Sequence, residues 1–148
     1  MEAAKLKYPL KVRAGYTLLR IGSVLLFLFA TAMAAFLVLA LVVGTEQALL
    51  SEPETIVSIV LDFIVVLFYI GAGIAGLNYA AHRKFLVWVV AFAAFFFLFI
   101  FLYRTIEIVV RFIEGRGSTD DIVEIILTFF TQTIYYVGWH LSKDYFED

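Results

Sequence analysis

Few residues of this 148-residue sequence carry side chains suited to chemistry, and the clearest is one aspartate. Asp62 interrupts an apolar stretch that is otherwise long enough to cross a lipid bilayer. A charge at such a position is costly, and by default it indicates a protonation or ion site with a partner nearby. Arg104 ends the next apolar stretch at a comparable depth. We predict that the two side chains pair, as a latch between helices or as part of an ion site; contact between Asp62 and headgroup water is the other alternative.

Polar side chains also recur every three or four residues towards the C terminus, so that they share one face of a helix. This face comprises Glu124, Thr128, Thr131, Gln132, Tyr135, Trp139 and Ser142. It is expected to point into a bundle or towards a partner helix rather than into lipid. Its hydrogen bonds would hold helices together, at about 0.6 kcal/mol each on average. The alternative is that the face forms the wall of a polar path or a ligand cleft.

A series of alternating charges follows Arg104. Glu107, Arg111 and Glu114 continue it at spacings of three and four, which places the four side chains on one stripe of a helix. The opposite face is apolar. The segment 104–115 is therefore predicted to be an amphipathic piece that extends the third helix beyond the bilayer or lies on its surface. The extension is either solvated and held by its own ion pairs, or its apolar face docks another subunit.

The two histidines and the missing cysteines limit the enzymatic possibilities. His82 and His140 fall near the same predicted end of their helices, where two imidazoles can ligate a haem iron. The stronger interpretation places His82 in a basic turn with Arg83, and His140 in an interfacial belt of aromatic residues. The chain has no Cys, which excludes thiolate nucleophiles, disulfides and cysteine-bound metals. We predict no enzyme activity, no metal and no cofactor.

The composition predicts the helices that carry these residues. The sequence is 64% hydrophobic and 16% charged, with a mean hydropathy of +0.98, whereas a soluble domain is about 45–50% apolar and about 25% charged. A spanning helix needs about 20 apolar residues, and four segments qualify, at about 17–43, 55–81, 85–104 and 121–142. Because the connections are short, the prediction is an all-α, integral membrane four-helix up-down-up-down bundle. It forms a single four-span transmembrane domain over 1–148.

The distribution of charge predicts the orientation of this bundle, because Lys and Arg favour the cytoplasmic side of a membrane. One predicted side carries both termini and most of the basic residues, namely Lys5, Lys7, Lys11, Arg13, Arg20, Arg83, Lys84 and Lys143. The other side carries Arg104, Arg111 and Arg116. Both termini are therefore expected in the cytoplasm, with the protein in the cell membrane. The basic juxtamembrane segment 1–16 either sets this topology alone or also binds anionic lipid.

Small residues cluster in the second predicted span. Gly71 and Ala75 form one pair at four-residue spacing and Ala72 and Gly76 form another, with Gly73 between them. Small residues at this spacing allow helix backbones to approach closely. They serve either contact between the first and second helices or self-association, and the motif alone does not choose between these uses.

These features favour a non-catalytic small tetraspan membrane protein, either an accessory or structural subunit of a larger membrane complex or a self-associating scaffold. Its expected partners are the bilayer and either further copies of itself or another membrane protein. The net charge of −2 argues against a nucleic-acid partner. The alternative is a small oligomeric ion or proton channel or transporter, with a path lined by Asp62, Arg104, Glu107, Glu124, Thr128, Gln132 and Tyr135. Such a path needs several copies or a partner, because side chains fill the centre of a bundle this small.

Overall fold

The structure, a computed structural model, describes residues 9–43, 53–83 and 87–143, and it contains four helices in these ranges. They are α1 (Leu10–Val43), α2 (Pro53–Ala80), α3 (Val87–Ile113) and α4 (Thr119–Ser142). Each helix is long and apolar enough to cross a membrane, which in α2 applies to Ile59–Ala80. The predicted all-helical class is confirmed, and the four helices are compatible with the predicted multi-pass membrane character.

Two helices extend beyond the boundaries predicted for the spans by more than two residues. α1 begins at Leu10 rather than near residue 17, so the end of the predicted basic segment 1–16 is helical, and Val12 and Tyr16 are buried. Residues 1–8 of that segment lie outside the described residues. α3 continues without interruption to Ile113, which includes most of the predicted amphipathic piece.

Local capping explains where α4 begins and where α2 and α3 end. Ser118 caps α4, accepting a hydrogen bond from the backbone N–H of Asp121, whose carboxylate accepts one from the backbone N–H of Ser118. α3 is followed by Gly115 at φ 72°, a left-handed conformation that glycine adopts without strain. The end of α2 has the same geometry with a histidine, because His82 lies at φ 58°. The guanidinium of Arg20 in α1 donates to the carbonyl of Ala80 at 3.0 Å and so caps α2.

The packed core lies at one end of the molecule. α1 packs against α2 and α4, and α3 packs against the same two helices. The buried cluster consists of Val12, Tyr16, Leu19, Leu26, Ala72, Ala75, Tyr79, Ala80, Val90, Ala93, Ala94, Phe97, Tyr135 and Trp139. We call this the basic end, since it holds the start of α1 and the end of α2. The opposite, acidic end holds the start of α4 and has a smaller cluster of Ala30, Leu37 and Val66.

Glycines bring α1 and α4 into backbone contact within the basic end. A Cβ atom on Gly138 would lie 2.5 Å from the backbone nitrogen of Leu19 and 2.9 Å from the carbonyl oxygen of Gly15. A Cβ atom on Gly22 would lie 3.0 Å from the backbone of Tyr135. Only a residue without a side chain allows this approach, so these glycines set the distance between the two helices.

Candidate functional site

The polar face of α4 passes from the surface of the acidic end into the core. Glu124 is exposed and Thr128 is half-buried, whereas Gln132 is 3% exposed and Tyr135 is fully buried. Thr131 is also buried, and its hydroxyl donates to the carbonyl of Leu127 in its own helix. The buried part of this face therefore points into the bundle, as its spacing predicted.

Tyr135 anchors this face to α2. Its hydroxyl donates a hydrogen bond of 2.8 Å to the backbone carbonyl of Ala72, and its ring packs edge-on against Phe97 with 5.3 Å between centroids. A Cβ atom on Gly76 would lie 2.9 Å from the Tyr135 ring and would collide with the hydroxyl of Ser23. The small residue at position 76 thus makes room for side chains from α1 and α4 together.

The other small residues of α2 have two different environments. Ala72 and Ala75 are buried in the core, and a Cβ atom on Gly73 would lie 3.1 Å from the ring of Phe27 in α1. Gly71, in contrast, has no atom of a neighbouring element near its Cβ position among the described residues. Most of the small-residue cluster therefore serves contacts within this chain, and Gly71 does not.

Two buried polar groups in this region lack ordinary hydrogen bonds. Among the described residues, the hydroxyl of Ser23 has no partner, and neither amide atom of Gln132 makes a hydrogen bond of normal geometry. The hydroxyl of Tyr69 in α2 lies close to the Gln132 amide. An unsatisfied buried polar group typically costs about 1–3 kcal/mol. Packing alone does not require this cost, so Ser23 and Gln132 are the strongest functional candidates inside the bundle.

The charged residues near the acidic end form a chain of ion pairs between α3 and α4. The guanidinium of Arg104 contacts the carboxylate of Glu107 at 2.6 Å. It also contacts the carboxylate of Glu124, which accepts a hydrogen bond of 3.1 Å from the Nε of Arg104. Arg111 contacts Glu107 at 2.8 Å and Asp121 at 3.1 Å. Asp121 is buried, whereas Arg104, Glu107, Arg111 and Glu124 are partly exposed, so the pairs among these four side chains stabilise the contact modestly, by up to about 1 kcal/mol each.

The predicted pair between Asp62 and Arg104 is wrong. The face of α3 that bears Arg104 is turned towards α4, where Glu124 binds it. Asp62 instead lines a groove against Phe29 and Leu37 of α1. Among the described residues, no hydrogen bond or ion pair to Asp62 is formed. A comparable depth along the bundle was therefore insufficient, because the rotation of each helix about its axis decides which side chains meet.

Two open grooves lined mainly by α1 lie towards the acidic end. One has a volume of about 640 Å³ and is lined by Ala30, Thr31, Ala34, Ala35, Val38, Leu39, Val42 and Ile70. The other has a volume of about 350 Å³ and is lined by Phe29, Ala32, Met33, Phe36, Leu37 and Asp62. Among the described residues, the second half of α1 is held mainly by the small cluster of Ala30 and Leu37 with Val66 of α2.

Both histidines are exposed and contact aromatic rings. His82 packs edge-on against Tyr16 of α1, with 4.4 Å between centroids, and His140 stacks on Tyr136 of its own helix. Within the part of the chain that the structure describes, no group of three or more histidine and carboxylate side chains is placed to bind a metal ion. These contacts place both imidazole rings against tyrosine rings at the basic end.

Comparison with models of protein families, with curated proteins and with solved structures finds no match to this chain. Its candidate residues therefore rest on geometry. Sequence reasoning missed Ser23 and the glycines that join α1 to α4. Gly15 and Gly22 are seven residues apart, a spacing that places both on one face of α1, and this was the available signal.

Proposed function

We propose that this chain is a non-catalytic membrane protein that acts as an accessory or structural subunit of a larger assembly, or as a scaffold that self-associates. The observation that carries the proposal is the uneven packing of the bundle. The core fills the basic end, whereas towards the acidic end α1 lines two open grooves. A helix that lies in the larger groove would give α1 support that the described residues of its own chain do not supply.

The lining of the larger groove fits a helix as its occupant. Ala30 and Ala34, and likewise Thr31 and Ala35, place small side chains at four-residue spacing along it. Such spacing allows a second backbone to approach closely in lipid. A further apolar surface lies at the end of α3, where Ile106 and Ile113 are exposed while the charged stripe engages α4.

We further propose that the helices run up-down-up-down, with both termini in the cytoplasm and the end of α3 beyond the bilayer. Support comes from contacts between opposite ends of consecutive helices. His82 at the end of α2 packs on Tyr16 near the start of α1, and Arg111 near the end of α3 binds Asp121 at the start of α4. The basic residues at the end with both termini agree with this orientation.

The experiment is native mass measurement after gentle extraction, which separates a homo-oligomer from a complex with another protein. Ala35→Leu fills the larger groove and is expected to weaken the assembly. Ala14→Leu, an equal change at an exposed position near the basic end of α1, is the matched control. Recovery of the unmodified chain as a lone monomer would contradict the proposal.

A second candidate function is an ion or proton path in an oligomer, and the observation that favours it is the pair of buried, poorly satisfied groups Ser23 and Gln132. They lie deep on the route that begins at Glu124. The test is proton or cation flux into proteoliposomes, which Gln132→Leu should abolish. Phe130→Leu, an exposed position on the same helix, should leave the flux unchanged. Unchanged flux with Asp62→Asn would remove Asp62 from the path, and absence of flux in the unmodified chain would reject this function.

A further inference from the structure

The smaller groove beside α1 combines one carboxylate with apolar walls. Phe29, Ala32, Met33, Phe36 and Leu37 of α1 form one side, and Asp62 of α2 supplies the charge. Phe36 is 73% exposed, so the groove opens to the surroundings of the bundle. Among the described residues, Asp62 has no ionic or hydrogen-bonding partner. The groove therefore offers a negative charge that no described residue of this chain neutralises.

The register of α1 against α2 shows where along the groove this charge lies. Phe27 packs over Gly73, Ser23 over Gly76, and Arg20 reaches Ala80. The two helices are antiparallel, so moving one residue forward along α1 corresponds to moving one residue backward along α2. Continuing this register sets Asp62 beside Leu37, whereas Phe29 lies eight residues, or about 12 Å, deeper in the bundle. The carboxylate is at the end of the groove nearer the acidic end of the bundle, and the rest of the groove is apolar.

We propose that this groove binds a phospholipid with a primary ammonium headgroup, phosphatidylethanolamine. The ammonium group donates hydrogen bonds to the carboxylate of Asp62, a charge-assisted contact. An acyl chain of the same lipid lies along Met33 and Ala32 towards Phe29. The order of charge and apolar surface in the groove matches the order of headgroup and chain in the lipid. The proposal is independent of whether the chain assembles with another protein.

The charges around the groove favour this lipid over an anionic one. Among the described residues, the acidic end carries the carboxylates of Asp62, Glu107, Glu114, Asp120, Asp121 and Glu124. The arginines at this end, Arg104, Arg111 and Arg116, each pair with carboxylates of the same chain. An anionic headgroup would meet a net negative surface there, and like charges repel. A headgroup with an ammonium group is attracted to the same surface.

The test uses the purified full chain in mild detergent, supplied with equal amounts of dioleoyl phosphatidylethanolamine and dioleoyl phosphatidylglycerol. Native mass spectrometry measures the ratio of the two lipids bound. We expect phosphatidylethanolamine to be favoured about two- to fivefold, which corresponds to roughly 0.4–1 kcal/mol. Asp62→Asn should lower the ratio markedly, although the remaining carboxylates of the acidic end still disfavour the anionic lipid. Glu114→Gln, which removes one negative charge from the same end outside this groove, should leave the ratio nearly unchanged.

A second pair of variants tests the groove without changing any charge. Ala32→Phe fills it and should lower binding of phosphatidylethanolamine as strongly as Asp62→Asn does. Ala35→Phe makes the same change three residues away, in the lining of the larger groove, and should retain the preference. Circular dichroism and monodispersity establish that each variant is folded, so a loss of lipid binding is not caused by unfolding. Because Ala32→Phe and Asp62→Asn change the groove in different ways, the result does not depend on one substitution.

Three results would overturn the proposal. The first is equal binding of the two lipids by the unmodified chain. The second is an equal loss of preference in Glu114→Gln and Asp62→Asn, which would assign the effect to the charge of the whole end. The third is a lipid-free dimer that requires Asp62, which would assign the groove to a second copy of the chain.

Discussion

The hydroxyl of Tyr135 in α4 donates a hydrogen bond to the backbone carbonyl of Ala72 in α2, 2.8 Å away in the buried centre of the bundle. The bond joins two helices that are distant in sequence, and it needs the space left by the missing side chain of Gly76. It links the polar face of α4 to the small-residue cluster of α2. Each of these features was visible in the sequence, but their contact was not.

Tyr135→Phe should lower the stability of the bundle modestly. The ring and its contact with Phe97 remain, and the loss is one interhelical hydrogen bond, about 0.6 kcal/mol on average in membrane proteins. Thermal unfolding in detergent, followed by circular dichroism, measures the effect. Tyr103→Phe at an exposed position is the control. Equal stability of the Tyr135 variant and the unmodified chain would mean that the bond contributes nothing.

Gly138→Ala should be strongly destabilising. The added methyl would meet the backbone of Leu19 and Gly15, which cannot move away as a flexible side chain could. Overpacking of this kind costs about 1–3 kcal/mol. Gly71→Ala makes the same change in open space and should leave the unfolding temperature unchanged or slightly raised. If both variants unfold at the same temperature, α1 and α4 do not make this close contact.

The ion pair of Arg104 with Glu124 should show a measurable coupling. Arg104→Glu and Glu124→Arg each bring like charges together, whereas the double exchange restores opposite charges across α3 and α4. We expect a coupling of up to about 1 kcal/mol, since both side chains are partly exposed. A double-mutant cycle on the free energy of unfolding gives this value. Additive effects of the two changes would show that the pair is not formed.

Ser118→Ala should shorten or weaken the start of α4. The substitution removes the hydroxyl that accepts from the backbone of Asp121, and loss of such a cap costs about 0.5–2 kcal/mol. Hydrogen exchange at the first turn of α4 should quicken relative to exchange near Tyr135. Ser118→Asp, which retains an acceptor, should preserve most of the protection. Unchanged exchange in Ser118→Ala would indicate that the first turn does not depend on the cap.

The correct predictions depend on the periodicity of a single helix, whereas the wrong one depends on how two helices are oriented towards each other. The buried half of the α4 face, including Gln132 and Tyr135, was predicted because helical periodicity alone places these residues on one side. The pair of Asp62 with Arg104 failed because it required a specific rotation of two helices about their axes. Depth along a helix follows from residue number, but rotation is set by packing against every neighbour.

The sequence predicts four apolar helices, each long enough to cross a membrane, because hydrophobic length can be read from neighbouring residues. Tertiary structure alone decided that Arg104 binds Glu124, that Gly138 meets Gly15, and that Asp62 faces an apolar groove. These contacts depend on the rotation and the register of each of the four helices, which are set by the fit of small and large side chains between them. No local pattern of residues encodes that fit, because it is a property of all four helices together.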